Sequence, residues 1–432
     1  MLRKLASYKY IIATLLYASL FFTQSLTLIW TVSYIVQALI LNTAIMLGIY
    51  AFRGFDNSTT SSMNSCFVSF LSGTILGVVF AMIPILFFHA RLPRFTIAIT
   101  AALSIFIFPF IGCILMRYTI KHLPPKRYLV IGREEELSPI LEEVRKASMN
   151  KIQIYSYLNP SPATLAAAIE IETARPYDAI LIGDPQLARG VESLISRAEA
   201  RNIAVEYLPL IVESVLKRIP MKLVDIFRDY YIIAFSNIHQ SYRKRVIDIL
   251  ISTFAITVLS PVFLILYLLI VIEDGRPAVF TQKRVGLNNT IFTIHKFRSM
   301  YKSSEKQGAK YATQQGDNMT KIGKFIRPIR LDEIPQFFDI LRGKMSFIGP
   351  RPEQPNFAEE LSQQLPYYKL RHKLKTGLTG WAQTNYKYAA TIEEQEKKLS
   401  YDLYYVKNQS VLLDLQIILK TFETVVFRKG AK

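Results

Sequence analysis

The amino-acid sequence predicts a membrane protein built from three parts. We expect an N-terminal bundle of four transmembrane helices in residues 1–122, a central Rossmann-like α/β domain in residues 123–235, and a mainly α C-terminal monotopic domain with a re-entrant membrane helix hairpin in residues 236–432. Three observations support this architecture: long uncharged runs at the N-terminus, alternating strand and helix patterns in the middle, and a proline-interrupted apolar run before a basic C-terminal part.

Composition restricts the class of protein and the chemistry of its partners. Hydrophobic residues make up 51% and charged residues 20% of the chain, and the mean hydropathy is +0.23, which argues against a disordered chain and an ordinary cytosolic enzyme. Fifty-two Lys and Arg against 33 Asp and Glu give a net charge of +19, so we expect anionic partners such as phosphates, nucleotides or acidic lipid headgroups. Cys66 and Cys113 both lie in apolar runs, which excludes a disulfide framework and a thiolate zinc site.

Four transmembrane helices are predicted from three uncharged runs. Residues 10–52 contain no Asp, Glu, Lys or Arg, and these 43 residues can hold two spans, since one span takes about 20 residues. Residues 57–90, uncharged apart from His89, and residues 95–116 can each cross a bilayer once. The first run is too long for a secretory signal, whose apolar region ends after about 7 to 15 residues.

The basic residues that flank these runs predict their orientation. Lys and Arg are enriched on the cytoplasmic side of membrane proteins. The residues that would lie on that side are Arg3, Lys4, Lys9, Arg53, Arg117, Lys121, Lys126 and Arg127, and those that would lie outside are Arg91 and Arg94. Both ends of this multi-pass bundle are therefore expected in the cytoplasm.

The centre of the chain shows the alternation that is typical of a parallel α/β sheet. Strands are predicted at 128–132, 151–158, 178–183 and 203–208, with helices at 134–146, 162–174 and 187–201 between them. A dinucleotide site would need G-x-G-x-x-G after the first strand, but the chain has Gly132-Arg-Glu-Glu-Glu-Leu, whose carboxylates would repel a pyrophosphate. We therefore interpret this domain as regulatory or as a spacer rather than as a cofactor site.

A fifth uncharged run, residues 249–272, is long enough to cross a bilayer but contains Ser260-Pro261 at its midpoint. Proline removes one helical hydrogen bond and disfavours the helical conformation of the preceding residue, so we expect a sharp bend there. From the run alone, a proline-kinked spanning helix is equally compatible. A fifth crossing would export the basic residues that follow, however, so the positive-inside tendency favours a re-entrant hairpin.

A basic region, residues 241–347, contains 17 Lys and Arg against 8 Asp and Glu and surrounds the pair Asp332-Glu333. Basic residues beside a membrane most often attract lipid headgroups, at about 1 kcal/mol each. No nucleic-acid-binding module is recognisable, so we expect no nucleic-acid partner. An Asp-Glu pair alone is more typical of a salt-bridged helix start, but the proline-flanked Arg351 favours bidentate phosphate binding nearby.

A series of short motifs follows in this part of the chain. In order they are Asp274-Gly275-x-Pro277, Phe280-x-Gln282-x-Arg284-Val-Gly286, Lys296-Phe-Arg-Ser-Met300, Leu331-Asp-Glu-x-Pro-Gln336, Gly343-x-Met-Ser346, Gly349-Pro-Arg-Pro352 and Thr379-Gly-Trp-Ala-Gln383. Together they resemble the bacterial sugar transferase family, the monotopic polyprenyl-phosphate hexose-1-phosphate transferases. The chain departs from the family in Lys375-Thr-Gly-Leu-Thr-Gly380, where a proline is common, and in Asn288-Asn289, which replaces a common glycine.

The resemblance implies transfer of sugar-1-phosphate from a UDP-sugar, with glucose or galactose favoured, to undecaprenyl phosphate, with release of UMP. Asp332 would be the nucleophile that forms a covalent sugar-phosphoryl aspartate, Glu333 would assist it, and Mg²⁺, the expected cofactor, would be bound by Asp332. The residues expected to bind substrate are Lys296, Arg298, Arg327, Arg330, Gln336 and Arg351, and Ser260-Pro261 aligns with the family's hairpin break. Because an anionic nucleophile approaches an anionic diphosphate, cations are needed to offset the repulsion.

The N-terminal parts resemble those of the large family members that initiate exopolysaccharide, capsule or O-antigen synthesis. This implies a catalytic domain on the cytoplasmic face of the bacterial inner membrane, in contact with anionic lipid, and leaves a homodimer open. Two other functions are compatible with the sequence: a non-catalytic membrane scaffold of a polysaccharide assembly complex, and a processive glycosyl transferase that would release UDP instead of UMP.

Overall fold

A computed structural model describes residues 2–25, 31–55, 63–87, 92–158, 177–189, 192–301, 319–386, 389 and 391–426. The chain forms two compact units, Met1–Lys217 and Arg218–Lys432. The first unit contains the N-terminal helices together with the α/β region, and the second contains the helix with Ser260-Pro261 and all the motifs quoted above.

The first unit begins with apolar helices at the positions predicted for four spans. They are α1 (Leu2–Ser25), α2 (Val32–Ala51), α3 (Met63–Ile85), and a last stretch made of α4 (Arg94–Ala102), a π-helical turn (Leu103–Ile107) and α5 (Phe108–His122). In the described part of the chain, Val32–Ala51, Arg94–Thr119 and Tyr242–Asp274 are long and apolar enough to cross a membrane, whereas Tyr10–Ser25 and Ser69–Ile85 are shorter apolar segments. The apolar helices are thus confirmed, and a bundle of four spans stays a prediction.

Small residues and side-chain amides hold the apolar helices together. A Cβ added to Gly48 of α2 would lie 2.1 Å from the carbonyl oxygen of Gly73 in α3, so both positions require glycine, as in many close contacts between membrane helices. Gln24 of α1 donates from Nε2 to Asn42 Oδ1 at 2.8 Å and to Thr100 Oγ1 at 3.0 Å. Three helices therefore share one buried polar cluster.

The α/β region of the first unit contains a four-stranded parallel sheet, as predicted. Its elements are β1 (Lys126–Ile131), α6 (Glu134–Ala147), β2 (Ile152–Leu158), β3 (Ala179–Ile182), α7 (Pro185–Arg189), α8 (Glu192–Ala200), β4 (Ala204–Tyr207) and α9 (Leu208–Leu216). The strand order is β2-β1-β3-β4. The helix predicted at 162–174 lies outside the described residues.

The helix predicted at 187–201 corresponds to α7 and α8, and residues 190–191 between them lie outside the described residues. The first begins earlier than predicted because Asp184 Oδ1 accepts a hydrogen bond from the backbone N–H of Gln186 at 2.8 Å. A carboxylate at this position satisfies a helix N-terminus that periodicity alone does not locate.

The second unit joins a long apolar helix to a mixed domain. Its elements are α10 (Met221–Ile226), α11 (Arg228–Ser236), α12 (Tyr242–Asp274), β5 (Val279–Val285), β6 (Ile291–Phe297), α13 (Lys321–Ile326), α14 (Gln336–Leu341), β7 (Ser346–Ile348), α15 (Pro355–Gln364), β8 (Gly377–Thr379), α16 (Trp381–Asn385), α17 (Ile392–Asn408) and α18 (Val411–Val426). Strands β5 and β6 form an antiparallel hairpin, and β7 pairs with β8 in parallel.

Helix α12 is helical through Ser260-Pro261, where a sharp bend was predicted, and the bend and the re-entrant hairpin stay predictions. Pro261 has no N–H to donate to the Thr257 carbonyl, but the Ser260 hydroxyl donates to that carbonyl at 2.8 Å. The serine therefore satisfies the acceptor that proline leaves unpaired, and the helical assignment is uninterrupted. Much of the helix surface is exposed and apolar, as at Phe254 and Leu264.

Candidate active site

The pair Asp332-Glu333 lies in a 3₁₀ turn, Leu331–Glu333, directly before α14. Arg330 precedes the turn in a left-handed conformation with φ 56°. Ile334, which follows it, is buried in an apolar cluster with Phe297 of β6 and with side chains of α12. This anchorage holds both carboxylates at a position where they are largely buried.

Three cations surround the carboxylate of Glu333. Lys296 Nζ lies 2.9 Å and Arg351 Nη2 3.6 Å from Glu333 Oε1, and Arg330 Nη1 lies 3.6 Å from Oε2. Burial opposes ionisation of Glu333, but the charges of Lys296, Arg351 and Arg330 outweigh it and hold the pKa of this carboxyl well below its usual range. Glu333 is therefore a fixed anion that holds the three cations together.

Asp332 is in a different environment, although it is the neighbouring residue. Among the side chains that the structure describes, none donates a hydrogen bond to its carboxylate or lies within ion-pair distance of it. Burial and the negative charge of Glu333 raise the pKa of Asp332 to about 6, although Lys296 and Arg327 oppose this. At neutral pH Asp332 is thus a buried and largely ionised carboxylate without a donor among the described side chains.

A narrow cleft adjoins Glu333. It is lined by Arg284, Ile294, Lys296, Glu333, Gln336, Arg351, Pro352, Gly377 and Leu378. Gln336 is buried, and its Nε2 has no hydrogen-bond partner among the described residues. Because a buried amide N–H without a partner is costly, this atom is suited to donate to a ligand in the cleft.

The loop that carries Arg351 is held along its whole length. The carbonyls of Pro350, Arg351, Pro352 and Glu353 accept hydrogen bonds, in that order, from Gly377 N, Arg371 Nη2, Arg284 Nη1 and Val285 N, at 2.9, 3.0, 3.1 and 3.0 Å. A Cβ on Gly349 would lie 2.3 Å from the Lys375 carbonyl oxygen, so only glycine fits at the start of the loop. Four successive carbonyls with separate donors make this a rigid support for Arg351.

The structure brings most of the predicted site residues together. Lys296, Arg330 and Arg351 contact Glu333, and Gln336 lines the same cleft. Arg327 affects Asp332 through its charge, with no contact shorter than ion-pair distance between them in the described chain.

Arg298 does not join this cluster. Its guanidinium is buried, donates to the carbonyls of Pro277, Asp274 and Gly275, and places Nε 3.2 Å from Asp274 Oδ2. The predicted contact with a phosphate does not fit this placement, because the guanidinium already holds the end of α12. Strand β6 ends at Phe297, so the alternation of the strand no longer determines where Arg298 points.

Arg284 and Gly377 are site residues that the sequence reasoning did not single out. Arg284 lines the cleft and donates to the Pro352 carbonyl, and Gly377 N donates to the Pro350 carbonyl. Arg284 lies inside one of the quoted motifs, which was the available signal. No local pattern identifies Gly377, because its importance comes from the close approach of β8 to the loop.

The donor set around Asp332 is consistent with a magnesium ion that arrives with its substrate. In the described residues, no group of three or more His, Cys, Asp or Glu side chains could enclose a metal. Asp332 offers one carboxylate without a donor in the described part of the chain. Mg²⁺ typically takes one or two carboxylates and completes its shell with water and substrate phosphate oxygens, so a single free carboxylate fits this ion.

In the described part of the chain, a carboxylate without a donor thus lies beside a second one that three cations contact, and the same unit contains a helix long and apolar enough to enter a membrane. Residues 239–428 match the sequence profile of the bacterial sugar transferase family. The chain is 39% identical over 259 residues to a UDP-N-acetylgalactosamine-undecaprenyl-phosphate N-acetylgalactosaminephosphotransferase of Aeromonas hydrophila, covering 59% of this chain and 60% of that relative.

Two further relatives are UDP-glucose:undecaprenyl-phosphate glucose-1-phosphate transferases. The one from Klebsiella pneumoniae is 38% identical over 190 residues, covering 44% of this chain and 41% of the relative. The one from Caulobacter vibrioides is 32% identical over 191 residues, covering 44% of this chain and 72% of the relative. The protein belongs to the bacterial sugar transferase family. The chain spans less than two thirds of the length of the first two relatives.

Proposed function

We propose that the protein transfers sugar-1-phosphate from a UDP-sugar to undecaprenyl phosphate, releases UMP, and so begins the membrane stage of exopolysaccharide, O-antigen or capsule synthesis. The observation that carries this proposal is the contrast between two adjacent carboxylates, one held by three cations and the other without a partner in the described chain. The names of the relatives support the same reaction class.

In the proposed first half-reaction, an oxygen of Asp332 attacks the phosphorus that carries the sugar. A bond forms between this oxygen and phosphorus, the bond from phosphorus to the bridging oxygen breaks, and UMP leaves with the electron pair. Lys296 and Arg351 stand where they can offset the negative charge of the diphosphate, since both are within 3.6 Å of Glu333 Oε1. Asp332 would hold Mg²⁺, which would supply further positive charge when bound.

In the second half-reaction, an oxygen of undecaprenyl phosphate attacks the same phosphorus and releases Asp332. The product is undecaprenyl-diphospho-sugar. Because Asp332 is regenerated as a carboxylate, it must be ionised at the start of each cycle. Its raised pKa of about 6 still leaves it ionised at neutral pH.

An apolar groove beside the carboxylates supports a lipid acceptor. The groove is lined by Val262, Ile265, Leu266, Leu269, Lys321, Ile322, Phe325 and Leu331. Leu331 is the residue before Asp332, and four of the lining residues belong to α12. A polyprenyl chain in this groove would bring its phosphate to the level of Asp332.

Contacts on both sides of Pro261 support a re-entrant course for α12, which would be about 50 Å long if straight, at 1.5 Å per residue. Before the proline, Arg245 Nη1 donates to the Ile340 carbonyl at 2.6 Å; after it, the ring of Phe263 lies 5.8 Å from that of Phe338. Both partners belong to α14, which has six residues. A domain on one side of a hydrocarbon layer about 30 Å thick reaches both halves of the helix only if they enter and leave on that side.

The test is release of UMP by the purified full-length protein with Mg²⁺, undecaprenyl phosphate and a panel of UDP-glucose, UDP-galactose and UDP-N-acetylgalactosamine. Asp332→Asn should abolish release. Asp225→Asn, which removes an exposed carboxylate that accepts a hydrogen bond from Tyr367, should leave it unchanged. Undiminished release by Asp332→Asn would refute the covalent step, UDP as the product would indicate a processive glycosyl transferase, and no release with any donor would favour the scaffold.

Two measurements test the order of steps and the topology. With labelled donor alone, UMP should appear once per protein molecule and labelled phosphosugar should remain on the chain; neither signal would appear if the two substrates react directly. A cysteine that replaces Glu273 should react with a reagent on the cytoplasmic side of the inner membrane. Reaction only from the outside would reverse the proposed orientation.

A further inference from the structure

A fully buried ion pair lies behind the loop that carries Arg351. Arg371, 1% exposed, donates from Nε and Nη2 to Asp402 Oδ2 at 3.0 and 2.7 Å. Its Nη1 donates to the Tyr368 hydroxyl at 2.9 Å. Burial disfavours the charge on Arg371, but Tyr368 and Asp402 outweigh this and raise the pKa of the guanidinium, so Arg371 remains a cation.

Arg371 makes one further contact, which is directed at the site. Its Nη2 also donates to the backbone carbonyl of Arg351 at 3.0 Å. The side chain of the same Arg351 lies 3.6 Å from Glu333. Arg371 thus joins the buried pair to the backbone from which a site cation extends.

This set of contacts requires the guanidinium shape. Three partners, Asp402, Tyr368 and the Arg351 carbonyl, are contacted from three nitrogens of one planar group. A lysine would keep the positive charge beside Asp402, but one nitrogen on a flexible stem does not reach all three partners at once. Replacement of Arg371 by lysine therefore keeps the positive charge but removes the simultaneous contacts with the three partners.

We propose that Arg371, held by Asp402 and Tyr368, is a positioning residue for the phosphate-transfer site, and that it acts by fixing the backbone at Arg351. The kinetic part of this inference rests on the proposed function. The alternative is that Arg371 only stabilises the fold. A second buried ion pair in the same unit serves as the comparison for that case: Lys244 Nζ lies 3.2 Å from Asp414 Oδ2. This pair makes no contact with the Arg351 carbonyl among the described residues.

A double-mutant cycle separates the two roles. We expect Arg371→Lys to lower kcat for UMP release by about 10²-fold, the size of loss that misplacement by about 1 Å can produce, with little change in KM. Arg351→Ala should lose at least as much, and the double variant should lose no more than Arg351→Ala alone, because the positioning effect needs the Arg351 side chain. The proposal would be overturned if the losses caused by Arg371→Lys and Arg351→Ala multiplied in the double variant. It would also be overturned if Arg371→Lys left the release of UMP unchanged.

Lys244→Arg is the matched control, since it also alters the cation of a buried pair while keeping its charge. Any loss of release that it causes should multiply with that of Arg351→Ala. Thermal unfolding of all variants separates loss of folded protein from loss of turnover. If the losses of UMP release caused by Lys244→Arg and Arg351→Ala also failed to multiply, the effect would not be specific to Arg371, and the proposal would be wrong.

A second readout does not depend on activity and so distinguishes failure of this inference from failure of the proposed function. Phenylglyoxal modifies accessible guanidinium groups, and peptide mass spectrometry measures the rate at Arg351. We expect Arg371→Lys to increase that rate several-fold, with no change at Arg228, an exposed arginine on α11. An unchanged rate at Arg351 would overturn the positioning role, even in a protein that released no UMP.

Discussion

Two groups of charges lie on opposite sides of the Arg351 loop, and they differ in balance and in exposure. On the site side, three cations contact one carboxylate, and the side chains of Arg351 and Arg330 are 33% and 45% exposed. On the other side, Arg371 and Asp402 are matched one to one, and their side chains are 2% and 3% exposed.

The difference indicates what each group is for. A buried pair in which each guanidinium nitrogen donates a hydrogen bond holds a chain in place, and it is costly to break. An excess of partly exposed cations repels itself, and an anionic ligand relieves that repulsion. In our proposals, the charge on the site side is neutralised by a phosphate substrate, and the charge behind it keeps that arrangement rigid.

The largest effect on stability should come from the buried group. Asp402→Asn would leave the Arg371 charge without a counterion, so we expect the free energy of unfolding to fall by about 3–5 kcal/mol. Denaturant unfolding in detergent measures this. A loss below about 1 kcal/mol, typical of exposed pairs, would remove the contrast between the two groups.

Removal of one charge from the group around Glu333 should lower turnover and leave stability nearly unchanged. Lys296→Met removes the closest cation to Glu333, and we expect kcat/KM for UMP release to fall by about 10²–10³-fold, as for other fixed charges that stabilise a transition state. Two cations still hold Glu333, so unfolding should change little. If Lys296→Met lowered the free energy of unfolding and left the release of UMP unchanged, Lys296 would have a structural role instead of a role in turnover.

The pH dependence of the reaction should report Asp332. Its pKa is raised to about 6, so protonation removes the nucleophile as the pH falls through that value. Below it, kcat/KM should fall by about tenfold per pH unit, and above it the profile should be level. Glu333 stays ionised to lower pH because its pKa is lowered. A flat profile from pH 5 to 7 would contradict the assignment of Asp332 as nucleophile.

The smallest effect on turnover is expected at Arg298. Arg298→Lys retains the charge but loses contacts to the carbonyls that end α12, so the free energy of unfolding should fall by about 1–2 kcal/mol. KM for the UDP-sugar should change by less than about threefold, since no ligand contact is lost. A large rise in the KM for the UDP-sugar would indicate that Arg298 does contact the substrate.

Much of the fold follows from local pattern. The uncharged runs predicted apolar helices, and alternation of strands and helices predicted a parallel sheet, because burial in lipid or between helices requires continuous apolar segments. The helical conformation at Ser260-Pro261 was less predictable. Proline disfavours it, but the hydroxyl of Ser260 satisfies the carbonyl that Pro261 leaves unpaired.

The residue types at the site follow from the motifs: an acidic pair among basic residues, with Lys296, Gln336 and Arg351 nearby. The contacts that each of these side chains makes follow from the folded chain. It clamps Glu333 and leaves Asp332 without a partner in the described chain, and it turns Arg298 toward the end of α12. The reason is that the pKa of a side chain, and the partners it has, depend on burial and on charges from segments distant in the chain. The local sequence does not specify either of these.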